Sequence, residues 1–257
     1  MIDRMRTIGG WLATILVAWT GAAAAQGLYW ESTTTGIGTQ PRSAQIYAVP
    51  RMIKIVQPDG HTVIVRGDED KLFTIDTAAH TYHEINIAGL EGPAHDTPGQ
   101  VDTLRTQTEQ RIKNLPPEQR AMMEKMMPNL QAPAGKRAPV TVSRTDETKT
   151  INGYACTKYV AQQGDKILLV AWTTNEVKAF DGLREDWVKF QKRMSVLSRM
   201  SGVTAGGIAD AYAAMQGFPI VTEMGPVKTE VTKVEVRTTP ASEFQVPAGY
   251  TLEPLRH

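Results

Sequence analysis

Four methionines lie close together in the segment Pro-Pro-Glu-Gln-Arg-Ala-Met-Met-Glu-Lys-Met-Met, residues 116–127. On a helix, Met122 and Met126 lie one turn apart, and Met123 and Met127 widen this face to an arc of about 140°. Such a face fills irregular apolar gaps, covers a hydrophobic ligand as an adaptable lid, or binds Cu(I) through its soft sulfur atoms. No Cys or His lies on this segment, so we assign it no metal and keep all three interpretations.

Two further segments carry large apolar side chains. Residues 166–172 (Lys-Ile-Leu-Leu-Val-Ala-Trp) are apolar at consecutive positions, which predicts a central strand with both faces covered. Asp181 can cap a helix on which one stripe is formed by Leu183, Trp187, Phe190, Met194 and Leu197. We therefore predict that Trp172, Trp187 and Phe190 contact a hydrophobic ligand together with the four methionines.

The residue types that usually perform catalysis are scattered. His80 and His83 are three positions apart across a turn into a strand, so their side chains are expected on opposite faces. The acidic run Asp68-Glu69-Asp70 lacks the further acids of a calcium-binding loop. The nucleophile-elbow, phosphate-loop and zinc-protease motifs are absent from the sequence. We predict a protein that is not an enzyme, with no catalytic residue, no bound metal and no cofactor.

The composition limits the classes of partner. The 257 residues include 28 Lys and Arg against 27 Asp and Glu, which excludes the basic bias of a dedicated nucleic-acid or anionic-membrane binder. A single cysteine, Cys156, excludes an internal disulfide. We expect Cys156 to be a small buried apolar residue, because no His or Lys lies beside it to activate a thiolate.

The first 25 residues are typical of a secretory signal peptide. Arg4 and Arg6 precede an apolar run over residues 11–19, and small residues precede Gln26. The run is too short to favour a stable membrane span of about 20 residues. We predict cleavage near Ala25, a periplasmic or secreted product, and no stable membrane span once the signal is removed.

The remainder, residues 26–257, is dominated by short segments rich in β-branched and aromatic residues. Tight turns separate the early ones, which predicts an antiparallel meander over residues 28–35, 51–56, 62–66, 72–76 and 81–87. Later strands are predicted at residues 140–144, 155–161, 166–174, 218–224, 227–237 and 243–246. Helical insertions are predicted at about 97–127, where Thr97 can act as the N-cap, and at 182–216.

The apolar periodicity of residues 227–237 shifts by one position. Val227 and Val231 are in one phase, whereas Val234 and Val236 are in the other. A β-bulge near Thr232 would restore a common inward face. The complete pattern predicts an α+β fold in a single domain, in which a curved antiparallel sheet forms an open half-barrel covered by the helical insertions.

Several segments together resemble a family of exported bacterial proteins without assigned function, which is grouped with the periplasmic lipoprotein carriers of the LolA/LolB type. They are residues 29–34, 51–55, 116–127, 150–159 (Thr-Ile-Asn-Gly-Tyr-Ala-Cys-Thr-Lys-Tyr) and 244–250. The resemblance implies an open half-barrel whose concave apolar side is covered by helices and holds a lipid-like group. The insertion over residues 89–139 departs from the carrier pattern.

The function predicted from these features is a non-catalytic periplasmic binding protein that holds a lipid or acyl ligand in a half-barrel. Two alternatives stay open. One is an envelope protein-interaction or stress protein that pairs through an open sheet edge or an amphipathic helix. The other is Cu(I) binding through the methionine-rich helix.

Overall fold

The computed structural model describes residues 24–36, 40–88, 138–200 and 207–254. The strands in these ranges belong to one twelve-stranded sheet. They are β1 (Ala24–Thr35), β2 (Arg42–Val49), β3 (Met52–Val56), β4 (His61–Arg66), β5 (Lys71–Asp76), β6 (Thr81–Asn86), β7 (Val140–Ile151), β8 (Tyr154–Gln163), β9 (Lys166–Thr174), β10 (Phe218–Met224), β11 (Val227–Pro240) and β12 (Thr251–Leu252). Two α-helices lie between β9 and β10, namely α1 (Arg184–Met200) and α2 (Ile208–Ala214).

The sheet consists of two meanders that meet at one strand pair. Its strand order is β12-β6-β5-β4-β3-β2-β1-β11-β10-β9-β8-β7. Strands β1 to β6 follow one another in space, as do β7 to β11, and β11 pairs with β1 along its full length. Every pairing is antiparallel except that of β12 with β6. Short turns explain this pattern, because they reverse the chain and cannot make parallel crossovers.

The predicted α+β half-barrel is wrong. In the described part of the chain, 57% of residues are in strands and 16% in helices, and the sheet is open rather than closed. The helices predicted within residues 182–216 are present as α1 and α2, but strands are longer and more numerous than the sequence pattern indicated. Strand β2 was missed entirely, and β7 extends to Ile151. The insertion predicted at 97–127 lies outside the described residues.

The bulge predicted near Thr232 is confirmed. Glu31 pairs with Lys233 but the next residue, Ser32, pairs with Val231, so Thr232 is the extra residue of β11. The shift places Val231 and Val234 on the same side of the sheet, since they are the partners of Ser32 and Trp30. Both valines therefore face the side covered by the helices.

The two faces of the sheet have different covers. We call the side that carries Trp30 and Ile46 the helix face, because α1 and the 3-10 helix Lys178–Phe180 pack on it. Helix α2 continues this cover over β8 and β9, where its buried partners are Tyr159, Ala161, Leu169 and Ala171. The opposite face of β2, β4 and β5 is covered by the C-terminal segment through Phe244, which is fully buried.

Gly27 is required where β1 passes β2. A Cβ atom there would collide with the backbone oxygen of Ala48 and would lie 2.6 Å from Cγ1 of Val49. Gly182, before α1, has open space in the same position. The close approach of β1 and β2 at Gly27 therefore depends on the missing side chain.

The Asn-Gly pair of residues 150–159 makes a hairpin turn and docks it on β11. Asn152 and Gly153 have φ angles of 50° and 85°, as in the two-residue type I′ turn that joins twisted strands. The Asn152 side-chain amide donates to the backbone oxygen of Val231 at 2.8 Å, beside the bulge. The same segment buries Cys156, as expected, and burial raises the pKa of its thiol. The residues of this segment therefore have structural roles in the hairpin turn and in the core.

Replacing Gly27 by alanine is expected to lower the free energy of unfolding by about 1–3 kcal/mol, because the new methyl group forces β1 and β2 apart. Urea denaturation of Gly27→Ala beside wild type measures the change. The matched control is Gly182→Ala, whose methyl group meets nothing within 4 Å. Equal stability of the two variants would contradict the close approach.

Replacing Asn152 separates the turn conformation from the side-chain hydrogen bond. Asn152→Ala loses both, and we expect a loss of about 2 kcal/mol from the positive φ and the hydrogen bond together. Asn152→Gly tolerates the positive φ and is expected to lose about half as much. Thermal unfolding of both variants checks the order; a glycine variant less stable than the alanine variant is inconsistent with this explanation.

Candidate functional site

An apolar hollow of about 260 Å³ lies between the helix face of the sheet and helices α1 and α2, and it is partly open to solvent. Its floor is formed by Trp30, Ile46 and Ile55, which are cross-strand neighbours on β1, β2 and β3. Trp187 and Phe190 of α1 form the opposite wall. The volume is slightly below the roughly 300 Å³ at which typical small-molecule sites begin, so the hollow suits one chain or ring.

Aromatic rings hold α1 above the sheet. The ring of Trp187 meets that of Trp30 edge-on, with 5.5 Å between centroids, and lies 5.2 Å from that of Phe190. Trp30 also contacts Phe218 edge-on at 5.5 Å. Edge-to-face contacts of this kind are favourable for aromatic pairs. Because Trp187 and Phe190 are three positions apart on one helix, they reach the sheet together.

Polar contacts fix α1 near its start and near its middle. Near its start, a carboxylate oxygen of Asp186 accepts from the backbone N–H of Arg51 at 2.8 Å, and Arg184 donates to the Ala213 and Met215 carbonyls at the end of α2. Further along α1, the guanidinium of Arg193 donates to Asp70 in the β4–β5 turn at 3.1 Å. These contacts attach the helix to two sheet turns and to α2, so we expect the hollow to be formed before any ligand arrives.

One end of the hollow carries hydroxyl groups. Ser32, Thr222 and Thr229 line this end, and the hydroxyl of Thr229 lies 2.9 Å from that of Thr34. Tyr212 of α2 also lines the hollow, and its hydroxyl hydrogen bonds to Thr222. Burial raises the pKa of Tyr212, so this phenol is neutral at ordinary pH. Among the described residues that line the hollow, none is charged.

The predicted ligand-contacting residues are only partly brought together. Trp187 and Phe190 both line the hollow. Trp172 does not; it projects from the other face of β9, with the Lys158 ammonium 5.9 Å from its ring. Met122, Met123, Met126 and Met127 lie outside the described residues. A ligand-binding role stays a prediction for all seven.

The prediction that β9 is covered on both faces is wrong. Leu169 and Ala171 are fully buried beneath α2, whereas Trp172 on the other face is half-buried and Ile167 is 53% exposed. Hydrophobicity alone does not distinguish a covered face from an exposed one. A short run of consecutive apolar residues is also compatible with a strand covered on one face only. The periodicity of residues 166–172 therefore could not determine how many faces of β9 are covered.

The sequence did not reveal the floor of the hollow. Ser32, Ala44, Ile46 and Ile55 come from three strands and meet only through the register of the sheet. Alternation of polar and apolar residues was the available signal, and it assigns a face but not a position under a particular helix. For Ala44 and Ile46 even that signal was weak, because β2 was not predicted.

The opposite face of the sheet carries a cluster of charges and tyrosines without the features of a reactive site. Tyr29 donates its hydroxyl to Glu31 at 2.6 Å, and the Arg237 guanidinium lies 4.0 Å from the centre of the Tyr29 ring. Burial and the hydrogen bond to Glu31 raise the pKa of Tyr29. Arg237 is in turn paired with Glu235 at 2.7 Å. The cluster therefore consists of ion pairs at the surface that lie over the neutral side chain of Tyr29.

Two further observations concern metal clusters and membrane spans in the described ranges. In these ranges, no three His, Cys, Asp or Glu side chains are grouped so that they could hold a metal ion. None of the helices there is both long and apolar enough to cross a membrane. The geometry defines a hollow without charged lining residues, among those described, on a predominantly β protein.

Residues 92–250 match the model of a domain of unknown function, DUF4412, and since this is more than half of the chain, the protein belongs to that family. This confirms the prediction of a family without assigned function. The family description gives no link to lipoprotein carriers, so that part of the resemblance stays a prediction.

The other comparisons add little. No curated protein matches the sequence. The structure is similar to that of an uncharacterised conserved protein from Thermus thermophilus, with 6% identity over 88% of this chain and 89% of that chain and a TM-score of 0.45. A likeness of that degree carries no functional argument.

Proposed function

We propose that the protein is a non-catalytic binding protein of the periplasm that holds a hydrophobic ligand, one acyl chain or a lipid-like group, in the hollow beneath α1. The observation that carries the proposal is the hollow itself, about 260 Å³ of space walled by Trp30, Ile46, Trp187 and Phe190. The hollow is partly open to solvent, so a ligand can reach its mostly apolar walls from outside.

The energetic basis is the burial of apolar ligand surface. A ligand that enters gains roughly 25 cal/mol for each Å² of apolar surface removed from water. It also supplies dispersion contacts that the walls of the hollow are too far apart to make with each other. The fixed position of α1 reduces the entropy lost on binding, because little of the protein must be ordered.

The open sheet edge supports a second candidate, a protein-interaction role in the envelope. β7 is a twelve-residue edge strand with mostly exposed side chains, and in the described ranges only β8 pairs with it. Such an edge offers unpaired backbone groups to a partner strand. The register shift between Arg144 and Thr148 interrupts this edge, which favours the hollow as the functional feature. Cu(I) binding depends on methionines outside the described residues and stays a prediction.

Export is part of the proposal and rests on the signal-like start of the chain. Cleavage after Ala25 would leave Gln26 as the first residue of β1. It would remove the pairings of Ala24 and Ala25 with β11 and the packing of Ala25 against the cluster around Phe244. We expect N-terminal sequencing of protein recovered from the periplasm of a bacterial host to begin at Gln26. Recovery of the intact N-terminus from the cytoplasm alone would overturn the export proposal.

Filling the hollow is expected to block binding. Ala44 lines the hollow, so Ala44→Phe places a ring inside it, and affinity for the neutral probe N-phenyl-1-naphthylamine should fall about tenfold or more. Fluorescence titration measures the affinity. The matched control is Gln45→Phe, the next residue of β2, which is exposed on the other face and should bind like wild type. Equal binding by both variants places the probe elsewhere.

Native mass spectrometry of the purified protein separates the two candidate functions. A lipid-sized adduct that is lost in Ala44→Phe and kept in Gln45→Phe supports the hollow. Absence of any adduct, together with no uptake of the probe, rejects ligand binding. A protein partner recovered in fixed proportion would then favour pairing through β7.

A further inference from the structure

Besides Gln191 of α1, the hollow has polar residues that the sheet contributes, and sheet register groups these at one end. Ser32 of β1 and Thr229 of β11 are on the helix face, and Thr222 of β10 is the direct partner of Thr229. All three line the hollow. Ser32 and Thr222 are nevertheless buried, with 7% and 8% of their surface exposed. Three hydroxyl groups on neighbouring strands thus form what we call the hydroxyl end.

The other end is aliphatic. Ile46 of β2 and Ile55 of β3 are direct cross-strand partners, and both line the hollow. Trp30 lies beside Ile46 on β1, between the isoleucines and the hydroxyl end. Along β10 the lining residues change from Phe218 and Ile220 to Thr222, and along β1 they change from Trp30 to Ser32, so the polarity of the hollow changes along the direction of these strands. A ligand with one polar end and one hydrocarbon end fits this gradient in one orientation.

Charge is the second constraint on the ligand. None of the described lining residues is ionised, so a carboxylate or phosphate drawn into the hollow would lose its hydration without gaining a counter-charge. Hydroxyl groups, in contrast, both donate and accept hydrogen bonds with a neutral group. Trp187, which lines the hollow, adds a buried indole N–H to which no described residue offers an acceptor. A neutral ligand oxygen within its reach would remove the cost of that unsatisfied donor.

We propose that the hollow selects an uncharged amphiphile, such as a long-chain alcohol or an acyl ester, and binds it in one orientation. Its hydrogen-bonding group lies against Ser32, Thr222 and Thr229, and its hydrocarbon lies against Trp30 and the two isoleucines. This inference rests on the proposed function and adds the chemical class and the orientation of the ligand.

A competition experiment with ligands of one chain length tests the class. Decanol, methyl decanoate and sodium decanoate are titrated against protein that carries N-phenyl-1-naphthylamine, at about pH 8, where a carboxylic acid is ionised. We expect the alcohol and the ester to displace the probe at concentrations at least about tenfold lower than the carboxylate. Displacement by all three at similar concentrations overturns the selection of uncharged ligands while leaving the proposed function intact. Failure of the probe to bind at all rejects the proposed function itself.

A set of isosteric variants tests the orientation. Thr222→Val removes a hydroxyl at constant shape, together with its hydrogen bond to Tyr212, and should weaken decanol and the ester about three- to tenfold, with binding of the hydrocarbon-like probe nearly unchanged. Thr222→Ser keeps the hydroxyl and should restore the affinity for decanol. Ser32→Ala provides the same test at a second position if Thr222→Val does not fold. Unchanged decanol affinity in a folded hydroxyl-deleted variant, or an equal loss for the probe and decanol, overturns the assignment of the hydroxyl end.

Discussion

The pairing of β1 with β11 is the interaction on which the rest of the structure depends. It joins the meander of β1 to β6 to that of β7 to β11, and it brings together Thr34 and Thr229, which are 195 positions apart. The bulge at Thr232 shapes the helix face of this pair, since it returns Val231 to the face that also carries Val234 and Trp30. Asn152 reaches the same point from the β7–β8 turn and donates to the Val231 carbonyl, so a hairpin from the far half of the sheet supports the bulge. Without this register the two ends of the hollow would not face the same helix.

The hollow follows from placing large side chains beside small ones. Trp30, Phe218 and Trp187 meet edge-on, and such contacts keep α1 at a distance set by ring dimensions. Beneath the helix, Ser32 and Ala44 are direct cross-strand partners and are too short to reach it. The aromatic rings therefore keep α1 away from the sheet, and the space above the small residues Ser32 and Ala44 is left open. The ion pair of Arg193 with Asp70 and the contact of Asp186 with Arg51 keep the helix from moving down to fill it.

Local features of this fold could be predicted from the sequence, whereas the arrangement that builds the hollow could not. The meander turns, the bulge at Thr232, the burial of Cys156 and the aromatic stripe of α1 each depend on residues close in sequence. Strand β2 was missed because Arg42, Ser43, Ala44 and Gln45 show no apolar alternation. Ala44 weakens the apolar alternation of β2 because its side chain is small, and for the same reason it leaves space under α1. The small size of Ala44 therefore explains why both β2 and the floor of the hollow were missed. The α+β prediction failed for a related reason, because periodicity overlooked β2 and shortened β7 and so understated the share of strands.

The distribution of charge is the basis of the selectivity proposed for the hollow. Across the sheet, a ladder of ion pairs exposed to water is formed by Glu31, Lys233, Glu235 and Arg237, and the Arg237 guanidinium lies over the ring of the buried Tyr29. The helix face under α1 instead keeps hydroxyl groups that are polar but cannot ionise at ordinary pH. A buried ion would need a partner of opposite charge, whereas a hydroxyl or ester oxygen needs only a donor. In the proposed complex, burial of the hydrocarbon supplies the affinity, and the hydroxyl end sets the chemical class and the orientation of the ligand.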